Sequence, residues 1–493
     1  MAHDYHRITR QIGISYLITI LIFIFNPLLI FILTRTLTVM EYGVYSILAG
    51  TITVVSIFIE LGISQYISTK FPGMKFDKKV KSFFSLLLFE IIFILIFISI
   101  IYIPFITNAA LSFLKIMAYK FEFHLVLWIL FFEGLFRIVT SIFYADKRIE
   151  FHNFTEFMRR GVWIFLLVVF ILAKGDLILK EVFSLWLAGV IFTVLFSMYF
   201  LRKEFTYFAK HLSFSFSSIK KGLAFGLPVL PLIISNWIIV IADRYILNYY
   251  KGAESVAIYS LAYSLMTIIF SFAIVFSTVV YPYIAEAWHK KKDYNFLFNA
   301  VLKYNMIIVF PCTFGMFFLR RQIITLISGV KYVAGSPVIV ILFLYPFLAA
   351  FINLLYYNIL VREKTRQVMI YYILGAVLNI ILNIIFIPKY GMFGAAIATV
   401  ISYLFMFSSL YLLSRRDFHW NLGFLKPLKI FVAALVMGVA VALLNPQIFT
   451  TKILVILFGM VFYIGLLFLF RVFVKEEIRI MRNIRQIIRA KAE

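Results

Sequence analysis

The stretch N-W-I-I-V-I-A-D-R-Y-I-L-N-Y-Y-K runs from Asn236 to Lys251 and carries an acidic and a basic residue inside an apolar segment. In a soluble protein, Asp243 and Arg244 would form an ordinary ion pair at the surface. In a membrane the same two residues would need partners or a polar cavity, because lipid does not solvate charge. The medium around this segment therefore decides how the chain folds.

The composition of the whole chain is that of a membrane protein. Of its 493 residues, 63% are hydrophobic and only 14% are charged, whereas a soluble domain carries about a quarter charged residues. A helix needs about 20 mainly apolar residues to cross the hydrocarbon core, and residues 11–33 and 91–114 are such runs without any charge. These runs are too long for the strands of a membrane barrel. We therefore predict an all-α, polytopic membrane protein.

Charged residues, together with Gly, Pro and Asn, interrupt the apolar runs and divide the chain into about fourteen predicted transmembrane helices. The predicted cores are residues 11–33, 43–69, 83–106, 121–144, 157–173, 181–201, 222–247, 255–285, 296–318, 336–361, 367–387, 391–413, 428–444 and 453–470.

The positive charges give an orientation to these spans. Most of the 47 Lys and Arg residues fall in alternate connecting segments, as cytoplasmic loops require. We predict a multi-pass protein of the cell membrane with both termini in the cytoplasm. The net charge of +25 then reflects topology, with an added attraction to membrane lipids, and no nucleic-acid partner is expected. Residues 474–493 repeat apolar and basic residues at helical spacing, which predicts a basic amphipathic tail helix on the inner leaflet; a solvated basic tail is the alternative.

The sequence offers little material for catalysis. The one cysteine, Cys312, excludes an intrachain disulfide, and the seven histidines are scattered, so we predict no metal site and no cofactor. No connecting loop exceeds about 20 residues, which leaves no room for a soluble catalytic domain. The protein is therefore not expected to be an enzyme.

A faint internal repeat suggests two lobes. The segment G-V-Y-S-I-L-A from Gly43 resembles A-I-Y-S-L-A-Y from Ala257, and each opens the second span of a six-span block. The first and third spans of both blocks contain prolines, at 27 and 104, then 228 and 311. We predict six-helix lobes at residues 1–210 and 211–414, followed by two additional helices within 415–473.

Three segments resemble a known family. They are T-R-T-L-T-V-M-E-Y-G-V-Y-S (34–46) with E-L-G-I-S-Q-Y (60–66), G-L-P-V-L-P (226–231) with the stretch from Ala242, and L-N-I-I-L-N-I-I-F-I-P-K-Y-G-M-F-G-A-A-I-A-T (378–399). In this order they are similar to polysaccharide transporters of the O-antigen flippase type, in the multidrug, oligosaccharidyl-lipid and polysaccharide exporter superfamily. The resemblance implies two helical lobes around a central cavity that move lipid-linked glycans from the inner to the outer leaflet. The family core usually has twelve spans, and fourteen would follow a subset of the family that has two extra helices; the resemblance assigns no role to residues 425–473.

Charged residues inside the predicted spans, together with Arg35 near the outer end of the first span, are the candidate site. Each costs about 2.5–3.5 kcal/mol at a helix centre, so it normally faces a cavity or a partner. The candidates for binding an anionic, lipid-linked oligosaccharide are Arg35, Arg137 and Arg244, because guanidinium groups bind phosphate through two parallel hydrogen bonds. The candidates for ion coupling are Glu60, Glu133 and Asp243. Glycan-assembly enzymes are candidate protein partners.

Each of these residues also has a structural interpretation. Asp243 and Arg244 could form an ion pair that only marks the outer end of a helix. Glu133 and Arg137 are four residues apart and could pair on one helix, and Glu60 could join two helices. Glu90 is expected to pack or to reach the headgroups. Four asparagines could line a sugar path or form interhelical hydrogen bonds: Asn236, Asn353, Asn379 and Asn383.

The function predicted from these features is a flippase that exports a lipid-linked oligosaccharide by alternating access. The alternative is a cation-coupled multidrug exporter of the same superfamily, which would need an acidic or aromatic cavity. A membrane glycan polymerase fits less well, because its catalytic acids would need a substantial outside loop.

Overall fold

The computed structural model describes residues 24–211, 213–290, 295–415 and 423–473, together with residues 18 and 21. Across these residues the backbone forms helices joined by short connections, with no strand. Twelve of the described helical segments are long and apolar enough to cross a membrane. The predicted all-α, multi-pass fold is confirmed.

In chain order the described helices are α1 (Ile24–Thr36), α2 (Val39–Glu60), α3 (Ile63–Lys70), α4 (Phe76–Ile101), α5 (Pro104–Phe113), α6 (Lys120–Ala145), α7 (Ile149–Lys174), α8 (Leu179–Phe200), α9 (Arg202–His211), α10 (Phe216–Gly226), α11 (Leu230–Lys251), α12 (Ala253–His289), α13 (Asn295–Phe318), α14 (Arg320–Ile327), α15 (Ser336–Ile341), α16 (Tyr345–Val361), α17 (Thr365–Tyr390), α18 (Met392–Ser414), α19 (Leu425–Leu444) and α20 (Phe449–Leu469).

Two of the fourteen predicted spans differ from the twelve apolar segments. For the first, predicted at residues 11–33, the described part is the short apolar helix α1. The fifth, predicted at 157–173, lies within α7, which carries Glu150 and Glu156 before the predicted start and Arg159 and Arg160 just inside it. Because of these charges, α7 is a long helix but not a uniformly apolar one.

The helices of the first block begin and end at residues suited to those positions. At the start of α2 the Thr38 hydroxyl accepts the Glu41 N–H at 3.2 Å, and the Glu41 carboxylate accepts the Thr38 N–H at 3.0 Å, which together form a capping box. At its end, Leu61 and Gly62 have φ values of 49° and 72°, and this left-handed turn redirects the chain into α3.

The prolines at the four matching positions differ in their local geometry. Pro104 is the first residue of α5, where its missing N–H costs nothing, and Pro228 lies in a 3-10 turn between α10 and α11. Pro27 and Pro311 lie inside α1 and α13. The match between the two blocks therefore does not extend to helix geometry at all four positions.

The described residues form two compact units. The first contains the chain up to Leu261 and Tyr372–Ala398, and the second contains Ala262–Tyr371 and the residues from Thr399 onwards. In the second unit, α19 and α20 share a core with α13 that includes Phe314, Met437 and Tyr463. The Tyr463 hydroxyl also donates to the backbone carbonyl of Ile307 at 3.1 Å. The two additional helices are thus packed on α13.

The division into lobes at residues 210 and 414 stays a prediction. The predicted tail helix at 474–493 lies outside the described residues.

Candidate functional site

A small polar cavity lies in the first unit, where α2 turns into α3. Its volume is about 170 Å³, and we call it the Arg137 cavity. The lining residues come from α2, the turn after it, α3, α6 and α11: Ile57, Glu60, Gly62, Ser64, Gln65, Arg137, Leu230, Ile233 and Trp237. Two of the predicted site residues, Glu60 and Arg137, therefore lie in one cavity.

The backbone around Gly62 gives the cavity its shape. Gly62 and Gly226 meet so closely that a Cβ on Gly226 would lie 2.0 Å from the carbonyl oxygen of Leu61. No side chain fits there, so the α2–α3 turn contacts the end of α10 directly. This contact positions the first turns of α11, with Leu230, Ile233 and Trp237, at the cavity wall.

The Arg137 guanidinium has hydrogen-bonding capacity to spare. Its Nη1 lies 3.5 Å from Glu60 Oε2 and its Nη2 lies 3.5 Å from Ser56 Oγ, and both distances are at the outer limit for a hydrogen bond. Its Nε is buried and has no acceptor among the described residues. The side chain is 36% exposed, so a ligand can reach it.

Glu60 is more firmly held than Arg137. It is almost fully buried, and its Oε1 accepts a hydrogen bond from the Ser64 hydroxyl one turn further on. Its Oε2 faces Arg137, so the ion pair joins α2 to α6. This geometry agrees with the interhelical contact considered for Glu60, and it also places the carboxylate at the cavity.

Glu133 and Arg137 do not pair with each other as their spacing allows. Both carboxylate oxygens of Glu133 accept hydrogen bonds from Arg159 Nη1 of α7, at 3.1 and 3.2 Å. Arg159 Nη2 also donates to Glu156 at 2.9 Å. Glu133 is therefore bound to the neighbouring helix, and Arg137 is left to the cavity. The predicted role of Glu133 in ion coupling stays a prediction.

Sequence reasoning missed Glu156, Arg159 and Arg160 as parts of this region. It assigned them to a cytoplasmic loop or to the edge of a span. The apolar run that follows, residues 161–173, is too short to cross the hydrocarbon core, and this signal indicates that the helix begins earlier and includes the arginines. Like Arg137, Arg160 has a buried Nε without an acceptor among the described residues.

Glu90 of α4 is a second buried carboxyl group in this region. It is fully buried, and neither of its oxygens has a hydrogen-bond partner among the described residues. Gly134 of α6 faces it, since a Cβ there would lie 3.5 Å from Glu90 Oε1. The carboxyl group thus faces protein and not the headgroup region.

Asp243 and Arg244 lie in the C-terminal half of α11, where both side chains are buried and form hydrogen bonds to nearby residues. Arg244 Nε donates to Ser260 Oγ at 3.0 Å, its Nη1 donates to the Val240 carbonyl at 2.5 Å, and its backbone N–H donates to Asp243 Oδ1 at 2.8 Å. The Tyr259 hydroxyl donates to Asp243 Oδ2. Asp243 is fully buried and Arg244 is nearly so, and the two side chains approach to 3.7 Å.

The other predicted residues are not among those that line the Arg137 cavity. Arg35 is exposed at the end of α1 and lies over the ring of Phe31 at 5.6 Å. Asn379 and Asn383 are fully buried, and the Asn383 amide donates to Asn379 Oδ1 at 2.9 Å within α17. Asn236 is exposed, and Asn353 has a buried Oδ1 without a partner among the described residues. Within that part of the chain, no cluster of three or more His, Cys, Asp or Glu residues could hold a metal ion.

The sequence model of the family described as polysaccharide biosynthesis protein matches residues 8–288, which is more than half of the chain. The chain belongs to the polysaccharide biosynthesis protein family. The resemblance identified from the three sequence segments is thereby confirmed. A second family model, described as MatE, matches residues 228–385.

Two curated proteins are similar to parts of the chain. An uncharacterized membrane protein of Methanocaldococcus jannaschii is 32% identical over 229 residues, which are 45% of this chain and 45% of that protein. The probable low-salt glycan biosynthesis flippase Agl15 of Haloferax volcanii is 23% identical over 164 residues, 33% of this chain and 34% of the flippase. The matched regions span less than half the length of either relative.

Solved structures share the fold over a larger part of the chain. The lipid II flippase MurJ in an inward closed conformation superimposes with a TM-score of 0.76 at 18% identity, covering 94% of this chain and 99% of that one. An inward-facing multidrug resistance MATE family transporter of the MOP superfamily gives a TM-score of 0.57 at 16% identity, with coverages of 82% and 93%. The chain shares its fold with both of these solved structures.

Proposed function

We propose that the protein is a flippase that moves a lipid-linked, anionic oligosaccharide across the cell membrane by alternating access. The observation that carries the proposal is the Arg137 guanidinium, which faces the cavity and has, among the described residues, two long contacts and no acceptor for its Nε. An arginine in this condition can bind a phosphate or diphosphate linkage without first breaking a strong ion pair. The family membership and the names of the related flippases support a glycan as the cargo.

The orientation predicted from the positive charges implies in which half of the membrane the cavity lies. If both termini are cytoplasmic, α2 runs inward and its last turn, with Glu60, lies in the cytoplasmic half of the membrane. The Arg137 cavity would then accept the phosphate on the side where lipid-linked glycans are assembled. In this proposal the protein carries out no covalent chemistry, and glycan-assembly enzymes supply its cargo.

Arg35 and Arg244 remain proposed substrate contacts in other states of the transport cycle. Arg244 would have to leave Ser260 and Val240 before it could bind a phosphate. Arg137 needs no such rearrangement, and we therefore propose that it is the first of the three arginines to contact the cargo.

The test is flipping by the purified protein in proteoliposomes. The probe is a fluorescent polyprenyl diphosphate that carries a disaccharide, and the measurement is its accessibility to a membrane-impermeant quencher over time. We expect Arg137→Ala to slow flipping about ten- to a hundredfold, because a charge-assisted hydrogen-bond contact contributes about 1.5–3 kcal/mol. Arg137→Lys should retain part of the rate, since the charge remains while the planar fork is lost.

Arg202→Ala is the matched control. Arg202 is exposed at the start of α9 and donates to Tyr199 at 3.1 Å, away from the cavity. Its loss removes one positive charge and should leave the rate unchanged. A wild-type protein that ignores the glycan probe and instead exports a lipophilic cationic dye would overturn the proposal in favour of a drug exporter, which the MatE match would then explain.

A further inference from the structure

The walls of the Arg137 cavity differ in chemistry. One wall is polar, with Glu60, Ser64, Gln65 and Arg137, and the other is formed by aliphatic side chains and the half-buried indole ring of Trp237. A bare phosphate would make use of the polar wall only, and a lipid chain would make use of the apolar wall only. A ligand that fits both must be hydroxylated along its edge and apolar on its face.

Two of the lining side chains have polar groups that no described residue satisfies. The Gln65 amide and the Trp237 indole N–H make no hydrogen bond within the described part of the chain. Together with the Arg137 Nε they supply donors around the cavity, while the Glu60 carboxylate and the Gln65 carbonyl supply acceptors. This mixture of donors and acceptors matches hydroxyl groups, which can do both.

The volume limits the size of the ligand. At about 170 Å³, the cavity is smaller than the roughly 300–1,000 Å³ of pockets for drug-sized molecules. One sugar ring is of a suitable size, whereas a chain of sugars would have to extend out of the cavity. Aromatic side chains such as Trp combine a large apolar face with a polar N–H, and this suits the C–H face and hydroxyl edge of a pyranose.

We propose that the Arg137 cavity binds a single sugar ring, the one attached to the linkage phosphate. Trp237 covers the apolar face of the ring, Gln65 and Glu60 bind its hydroxyl groups, and Arg137 binds the adjoining phosphate. The inference rests on the proposed flippase function, and it adds that the protein recognises the first sugar as well as the charge. Sugars further along the glycan lie outside the cavity and are not selected by it.

The experiment compares two water-soluble probes on the purified full-length protein by isothermal titration calorimetry. One series is a short-chain prenyl diphosphate that carries one sugar, prepared with glucose, galactose or N-acetylglucosamine. The other is the same prenyl diphosphate without a sugar. We expect the wild type to bind at least one sugar-bearing probe about tenfold more tightly than the bare diphosphate, corresponding to about 1.4 kcal/mol.

Variants separate the contacts. Gln65→Leu and Trp237→Ala should each weaken binding of the sugar-bearing probe about three- to tenfold and leave the bare diphosphate unaffected. Arg137→Ala should weaken both. Gln65 is exposed, so its substitution does not threaten the fold, and Trp237→Phe, which keeps the aromatic face, should lose less affinity than Trp237→Ala. Trp128→Ala is the matched control, because this exposed tryptophan of α6 does not line the cavity.

The outcomes distinguish this inference from the proposed function. If the wild type flips the disaccharide probe but binds sugar-bearing and bare diphosphates equally, the sugar site is wrong while the flippase stands. The same holds if Gln65→Leu and Trp237→Ala weaken both probes equally, since they would then act on the lipid, the phosphate or the fold. If the wild type neither flips the glycan nor binds either probe, both proposals fail.

Discussion

At the scale of single residues, Asp243 and Arg244 make a buried pair that has hydrogen-bond partners on α11 and α12. Each charged group has other hydrogen bonds, from Tyr259 to Asp243 and from Arg244 to Ser260 and Val240. Removing one member of such a pair leaves the other charge buried with incomplete compensation, and this costs about 3–5 kcal/mol. Removing both members leaves no unpaired charge.

We therefore predict that Arg244→Ala lowers the thermal stability of the purified protein more than the double change Asp243→Ala with Arg244→Ala. The double variant then allows transport to be measured at near-normal stability. If Arg244 also binds the substrate phosphate, the double variant will flip glycan poorly although it is folded. Full flipping by the double variant would reduce Arg244 to a structural partner of Asp243, and a double variant less stable than Arg244→Ala would contradict the pair itself.

The charged residues inside the membrane could be predicted from the sequence, whereas the partners of two of them could not. Glu60, Glu133, Arg137, Asp243 and Arg244 were all identified from charge within apolar segments. The partners of Glu60 and Glu133 were not, because helical spacing reports only on neighbours within one helix. Arg137 pairs across to α2, and Glu133 pairs across to α7. The tertiary fold determines which helices are adjacent, and this adjacency could not be predicted from a single sequence.

At the scale of helices and turns, two close backbone contacts hold the first unit together. A Cβ on Gly226 would lie 2.0 Å from the Leu61 carbonyl oxygen, and a Cβ on Gly43 would lie 1.9 Å from the Ala253 carbonyl oxygen. Small residues allow membrane helices to approach in this way. Gly43 starts the repeat segment of α2 and Ala253 starts α12, so the openings of the two repeated spans are in direct contact.

We predict that Gly226→Ala destabilises the protein, because the added methyl group meets backbone atoms that cannot rotate away. Overpacking typically costs about 1–3 kcal/mol, so the midpoint of thermal unfolding should fall. Flipping should also slow, since the same contact shapes the Arg137 cavity. The matched control is Gly315→Ala in α13, where a Cβ would have no atom within 4 Å. There the better helix propensity of alanine should leave stability equal or slightly higher, and equal behaviour of the two variants would contradict this account of the turn.

Helix boundaries could be predicted from composition where the apolar run was long enough. The twelve apolar segments overlap twelve of the fourteen predicted spans. The span predicted at 43–69 was too long, because α2 ends at Glu60 and the left-handed turn at Leu61 and Gly62 starts the separate helix α3. The prediction was incomplete at α7, where hydropathy finds only the apolar half of a helix of 26 residues. The polar half is stable in this position because Glu133 of α6 pairs with Arg159, and a hydropathy scale cannot include such a pair.

At the scale of the whole molecule, the distribution of Lys and Arg makes a definite prediction about orientation. Reporter fusions at Lys120, Lys251 and Lys331 should lie outside the cell membrane, and fusions at Lys79 and Lys210 should lie inside. The measurement is the activity of a pair of reporters that work on opposite sides of the membrane. Inverted results at two or more of these sites would overturn the orientation, and with it the cytoplasmic location of the Arg137 cavity.

The charged first half of α7 also bears on how the chain is inserted during synthesis. The translocon releases segments into lipid roughly according to their hydrophobicity, and a central arginine or acidic residue costs about 2.5–3.5 kcal/mol. Glu156, Arg159 and Arg160 would make α7 a poor substrate for release by itself. The ion pair between Arg159 and Glu133 removes much of that penalty only if α6 is still beside the translocon when α7 emerges. We therefore expect α6 and α7 to enter the bilayer together as a helical hairpin, so that the order of synthesis contributes to building the site.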